Sequence, residues 1–217
     1  TLVSGGELQG DTTSLQGTIT NNASVIFATT TNGTYAGAMS GTGAVTKSGA
    51  GTLTLTAANN YSGATTVSDG TLKVNGSTTS ATAVQSGATL AGSGSVASAT
   101  IASGGTISPG DSLGKLTLTS GMTWAGGGNY NWQSFDVSDP DPDSSKRDLI
   151  DVTGGTFTLN GLSEVNKFNI NLWSLSGLNP DVNGAVFNFN NTLSYSWRIV
   201  SSASAISCTF SNSYFNI

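Results

Sequence analysis

The sequence predicts an all-β chain folded as a solenoid of stacked coils, a parallel β-helix, and three observations carry that prediction. Apolar and polar residues alternate over short runs such as "GTLTLT" from Gly51, which places successive side chains on opposite faces of a strand. The runs stop at Gly or at Asn-Asn, Asn-Gly and Ser-Gly pairs, which suit tight turns and the left-handed region. They recur at a near-constant interval with no helical period, as expected of units that bury their apolar side only against neighbouring units.

In the first part of the chain the repeat is marked by "GTI" at Gly17, "GTY" at Gly33, "GTL" at Gly51 and Gly70, "GATL" at Gly87 and "GTI" at Gly105. The apolar residues that follow, Ile19, Tyr35, Leu53, Leu72, Leu90 and Ile107, are spaced by 16, 18, 19, 18 and 17 and are expected at equivalent places in successive coils. Each coil then holds two or three short strands. Ala, Thr and Val fill the narrow interior, and stacked Thr or Asn form ladders.

The character changes near "GMTWAGGG". Residues 1–123 contain three aromatics, Phe27, Tyr35 and Tyr61, and residues 124–217 contain the other fourteen. The second part still alternates, in "TFTLNG", "KFNINLWSL", "AVFNFN", "YSWRIV" and "CTFSNSYFNI", so it too is β, with room for a fuller core. Two domains are expected, a parallel β-helix over 1–123 and an aromatic-rich β region over 124–217. The latter is expected to be a cap or a small antiparallel sandwich closing the solenoid.

Composition narrows the function. The 217 residues are 9% charged with a net charge of -5, so neither a nucleic acid nor an anionic membrane surface has an electrostatic footprint to meet. Disordered chains combine low hydrophobicity with high net charge, whereas here 36% of residues are apolar and regularly placed. One cysteine, Cys208, excludes an internal disulfide and reads as a small core residue. No run is long enough to span a bilayer, and neither an initial Met nor a charged-then-apolar leader is present. The chain is therefore expected to be a mature, exported one.

Catalytic chemistry has little to work with. The absence of histidine removes the commonest general base and the usual triads and metal sites. Polysaccharide-cleaving β-helices need clustered carboxylates in a groove, yet between residues 12 and 135 the acids are Asp69 and Asp111, both in turn contexts. No catalytic, cofactor or metal site is expected. Asp136, Asp139, Asp141, Asp143, Asp148 and Asp151 gather in "DVSDPDPDSSKRDLID". Asp139, Asp141 and Asp143 have the spacing that opens an EF-hand loop, but Ser144 and Ile150 stand where that loop wants Gly and Glu, so a solvated loop is the better reading. Sequons lie at Asn22, Asn32, Asn60, Asn75 and Asn190. Trp173 and Trp197 are expected in the core, with stacking on a glycan as the alternative.

"GAGTLTLTAANNYSGATTVSDGTLKVNG", from Gly49 to Gly76, closely resembles the passenger-associated β-strand repeat of bacterial autotransporters in its order of Gly, Leu pairs, Asn-x-Tyr-x-Gly, Thr-Val and Gly-Thr-Leu. The resemblance extends over Ala23 to Leu118. "RDLIDVTGGTFTLNG" and "YSWRIV" are similar to the end region of related secreted surface proteins, often of the PEP-CTERM type. The resemblance implies a right-handed β-helix exported to the cell surface or beyond, and it implies no catalytic residues.

A β-helix ends in coils whose free strand edges invite another chain. "TLVSGG" and the apolar alternation of Tyr214, Phe215 and Ile217 lead to the expectation of an extracellular structural protein that joins head to tail with itself by strand addition into filaments. The alternative is a monomeric surface adhesin binding a glycan or partner, which needs an exposed aromatic or polar patch in residues 124–217.

Overall fold

Short alternating strands separated by glycine corners can bury their apolar side only by stacking, and the chain stacks them into a β-solenoid. The computed structural model describes residues 1–134, 146–174, 199–204, 206–207 and 215–216, and every regular element among them is a β-strand. Each full coil presents three faces.

The first face starts with Leu2–Val3, Ile19–Asn21 and Met39–Ser40 in parallel register. It continues at Ala58–Asn59, after which the Asn60 N–H donates to the Met39 carbonyl at 2.9 Å. The second face is built from Glu7–Gly10, Ser24–Ala28, Ala44–Ser48 and Thr65–Val67. The two faces then merge, because Ser77–Val84 and Ser95–Ile101 run across the corner between them, with a register shift between Thr78 and Ala81. They part again as Lys115–Leu118 and Met122–Ala125, then Leu149–Val152 and Phe157–Asn160, then Val200–Ser202 and Ile206–Ser207. The third face is an 8-stranded sheet running from Gly33–Tyr35 through Thr52–Leu55, Thr71–Val74, Thr89–Gly92, Thr106–Pro109, Asn129–Ser134 and Phe168–Ser174 to Phe215–Asn216.

Inside, side chains form ladders. Leu53, Leu72, Leu90, Ile107, Tyr130 and Ile170 stand in register up the third face, and all are buried. Four of the six expected repeat positions are therefore equivalent. The other two are not: Ile19 pairs with Met39 on the first face, and Tyr35 registers with Leu55. A Gly-Thr pair opens strands on more than one face, so the dipeptide alone does not say which. Gly92 shows why some glycines are obligatory, for its φ is +110° and a Cβ there would strike the Val74 carbonyl.

The described strands of residues 124–217 differ from the antiparallel sandwich expected as one possibility. They pair in parallel and continue the solenoid, and Met122–Ala125 runs across the 123/124 boundary. Alternation has the same period in both kinds of sheet, so pattern could not separate them. The larger residues fill the interior as an aromatic cluster. Trp124 stacks on Phe168 at 4.1 Å and 7° and meets Phe157 edge-on at 4.8 Å.

The first coil lacks a third-face strand. Residues 11–17 turn back instead, pinned by Asp11 Oδ1, which accepts from the Thr13 and Ser14 amides at 2.9 Å each and from their hydroxyls at 2.7 and 3.0 Å. The Leu15 N–H closes the turn on the Asp11 carbonyl at 2.8 Å, and Leu15 is driven into the core.

Candidate functional site

Side chains able to do chemistry fall at corners, in the core and on the outward side of the strands. At the corners, the two carboxylates weighed as a catalytic pair are engaged separately. Asp69 Oδ1 caps the Gly70 N–H at 2.8 Å, just before the third-face strand Thr71–Val74. Asp111, just after Thr106–Pro109, pairs with Lys73 Nζ at 2.7 Å and accepts from Asn75 Nδ2 at 2.6 Å. They therefore sit at opposite ends of the third face and share no partner.

The core holds polar groups that the alternation pattern passes over. On the second face Lys47 stands in the inward ladder between Phe27 and Val67 and is fully buried. Its Nζ donates to the carbonyls of Gly49 at 2.6 Å and of Ser48 and Asp69 at 3.1 Å each. Burial lowers its pKa, and the Asp69 charge opposes that shift. Asn59, buried on the first face, links three segments. Its Oδ1 accepts from the Met39 N–H at 2.9 Å, and its Nδ2 donates to the Ala57 and Ser77 carbonyls at 3.0 and 3.2 Å. Beside it, the Tyr61 and Thr65 hydroxyls and those of Thr65 and Ser80 lie 2.6 Å apart. Burial raises the Tyr61 pKa.

These residues occupy one stretch of chain. Residues 45–74 match the family model of the passenger-associated-transport-repeat. No curated protein matches the chain. The passenger-associated repeat thus covers one coil and the start of the next: from Val45 on the second face over the third and first faces, then back to Thr65–Val67 and Thr71–Val74. Its Asn-Asn-Tyr-Ser-Gly segment supplies Asn59 and Tyr61. Lys47, Asn59, Tyr61 and Asp69, all within the matched residues, take part in corner closure and in hydrogen bonds within and between coils.

Of the acidic run, Asp136, Asp139, Asp141 and Asp143 lie outside the described residues. Asp151 pairs with Lys115 at 3.2 Å. Asp148 departs from the solvated-loop reading, since it is fully buried. Among the described residues no three acidic, Cys or His side chains come together as metal ligands. A shallow cavity of about 260 Å³ lies between the turn at residues 12–17 and residues 34–37. Its lining includes Thr12, Gln16 and Tyr35 but no acid or base other than the Tyr35 phenol, which burial pushes up to about 12.

The outward side of the third face carries Thr52, Thr71, Thr89, Thr106, Asn129 and Asn169 in register. Asn169 Nδ2 donates to Asn129 Oδ1 at 3.0 Å, and Asn171 Nδ2 to Asn131 Oδ1 at 2.8 Å. Trp124 and Trp132 are in the core. Trp173 registers with Gln133, and Trp197 and Cys208 lie outside the described residues. Of the sequon residues, Asn22, Asn32 and Asn75 accept, through Oδ1, from the amides of Thr42, Thr52 and Ser93 in the next coil at 3.3, 2.9 and 3.2 Å. Asn60 is exposed, and Asn190 lies outside the described residues.

Proposed function

We propose that this chain is a non-enzymatic structural module of a secreted or cell-surface protein, a solenoid stalk whose outward faces meet other surfaces. The observation that carries the reading is the use made of Lys47, Asn59, Asp69 and Asp111. Lys47, Asn59 and Asp69 are tied by hydrogen bonds to their own or an adjoining coil, and Asp111 reaches across one coil to Lys73 and Asn75 in the coil beyond it, leaving the role of the coil mechanical. The passenger-associated repeat supports export, as the repeat type of autotransporter passengers. Eight strands on the third face, at ~4.8 Å each, give a rod of about 35 Å.

The module can act alone as an adhesin-like stalk or join others end to end. Head-to-tail joining is favoured by Leu2–Val3 and Glu7–Gly10, which pair within this chain on one side only, and by Leu2, which is 66% exposed. The partner strand named from the sequence lies partly outside the described residues, with Tyr214 and Ile217. Phe215–Asn216 forms the last strand of the third face. Three features weigh against joining. The Asp11 turn occupies the third side of the first coil, Leu2–Val3 is two residues long, and Glu7 puts a charge on the second-face edge, all of which blunt a sheet edge. A stacked coil would find two faces to pair and a turn on the third. The polar patch that the adhesin form requires is matched by the outward amides of Asn129, Asn131, Asn169 and Asn171.

Light scattering and electron microscopy of the concentrated chain test this reading. Discrete single rods with no turnover of glycans support the stalk. Regular filaments overturn it in favour of head-to-tail assembly, and glycan turnover overturns the non-enzymatic reading altogether.

A further inference from the structure

Four of the five Asn-x-Ser/Thr triplets lie among the described residues, at Asn22, Asn32, Asn60 and Asn75. A sugar joined to such an asparagine is bulky and polar and needs a surface position. The solenoid treats the four differently. The Oδ1 atoms of Asn22, Asn32 and Asn75 accept from the Thr42, Thr52 and Ser93 amides of the next coil, and Asn75 Nδ2 also donates to Asp111 Oδ2 at 2.6 Å. Each of these side chains helps to hold two coils together. The Asn60 side chain is exposed and makes no hydrogen bond among the described residues.

The backbone sets up this one triplet. The Asn60 N–H donates to the Met39 carbonyl and the Ser62 N–H to the Gly41 carbonyl, both at 2.9 Å, which is the spacing of a parallel strand on the preceding coil. Side chains two apart in such a segment share a side. Asn60 and Ser62 are accordingly exposed, while Tyr61 between them is fully buried with its hydroxyl 2.6 Å from that of Thr65. From the following coil, the Thr79 hydroxyl donates to the Tyr61 carbonyl at 3.1 Å. The acceptor amide and the hydroxyl that defines the triplet therefore face solvent together, on a segment tied to the coil on either side.

We infer that Asn60 is the position at which the folded solenoid accepts an N-linked sugar.

The co-reactant is a sugar activated as a nucleoside diphosphate. A bond forms between Asn60 Nδ2 and the anomeric carbon, the bond from that carbon to the diphosphate oxygen breaks, and the nucleoside diphosphate leaves with the electron pair. Nδ2 gives up one of its two protons to a base of the transferase, and nothing is oxidised or reduced. A carboxamide carries one acceptor and two donors, and a transferase has to seize the whole group and turn it towards the sugar. Asn60 is free to be turned, whereas at Asn22, Asn32 and Asn75 a bond to the next coil has to open first. A sugar on Asn60 lies between Ala58–Asn59 of the first face and Thr65–Val67 of the second, away from the first coil and the third-face amides. The inference is thus independent of the choice between stalk and filament.

The test incubates the full folded chain with UDP-glucose and a soluble N-glycosyltransferase that reads the triplet, and locates hexose by peptide mass spectrometry. Synthetic peptides spanning each triplet are run beside it, so that the rate at each position is read against its own peptide. Hexose should collect at Asn60 at nearly the rate of its peptide. Asn22, Asn32 and Asn75 should be slowed by about tenfold or more, the equilibrium cost of opening one hydrogen bond. Asn60→Gln should lose that hexose while keeping the thermal midpoint of the natural chain. Hexose missing from Asn60 of the folded chain, or spread evenly over the four positions, overturns the inference. A peptide around Asn60 that is no substrate overturns it as well, because Tyr61 then bars the triplet.

Discussion

Asn59 shows what the passenger-associated repeat asks of a single side chain. A primary amide has both an acceptor and donors, and here it serves an amide of one coil and carbonyls of its own and the next. Removing it leaves the buried Met39 N–H and the partly buried Ala57 and Ser77 carbonyls without that partner, at about 1–3 kcal/mol for each group left unsatisfied before relaxation. Asn59→Ala should therefore cost about 3 kcal/mol or more, and Asn60→Ala, on the exposed side, about 0.5 kcal/mol or less. Urea denaturation of the two variants checks the contrast, and equal losses would refute the corner role. The motif was legible in the sequence as a turn, but its burial was not. For Lys47 the signal was present: Val45 and Lys47 are two apart in "AVTKS", so strict alternation already points both inward. Asp148 gave less warning, because the acids around it read as a solvated run, and burial depends on a return path that pattern does not contain.

At the scale of elements, the strands of residues 1–123 were legible because alternation and glycine corners both mark them. The packing of the aromatic coils was legible only in part. Sequence showed that large residues enter near Trp124, but a parallel continuation and an antiparallel sandwich share one alternation. Register decides, placing Trp124 over Ile101 and under Leu159 and its ring against Phe168 and Phe157. Trp124→Ala should destabilise these coils by about 3–5 kcal/mol through the cavity it leaves, measurable as a lowered midpoint of thermal unfolding. A loss below about 1 kcal/mol would mean that the coils collapse around the gap. The Asp11 turn was not read from the sequence at all, since "DTTSLQG" resembles any polar corner. Its carboxylate, held down to about 2 by the hydroxyls and amides of Thr13 and Ser14, carries an acid-side sign. The folded pKa lies below the ordinary value, so the turn's contribution is present above the unfolded carboxylate range and is lost as pH falls towards 2. Hydrogen exchange at the Leu15 amide should quicken, beyond its intrinsic change, over that interval and in Asp11→Ala at neutral pH. Unchanged protection in Asp11→Ala would show that Leu15 packing alone holds the turn.

For the whole molecule, the central question is what the first coil permits, and geometry makes it answerable. A second solenoid approaching along the axis can pair with Leu2–Val3 and Glu7–Gly10 in the parallel sense of their own sheets, but on the third side it meets Leu15 and the Asp11 turn where a strand edge would be needed. Strand addition is cooperative across the faces of a coil, because a rigid partner cannot close on two sides while held off on the third. On the proposed reading, the turn is the element that would separate a stalk from a filament subunit. Exchanging residues 11–17 for the third-face segment of the passenger-associated repeat, from Gly49 to Thr56, should supply the missing strand and leave all three faces of the first coil with open edges. The exchanged chain should associate with rising concentration in sedimentation velocity, while the natural chain sediments as a single species. If the natural chain already associates, and Gln9→Pro in its second-face edge abolishes that association by removing a backbone donor, the turn is no barrier and the solenoid is a polymer subunit. If neither protein associates, the shortness of Leu2–Val3 and the charge of Glu7 protect the edge by themselves, and the turn serves only to close the core over Leu15.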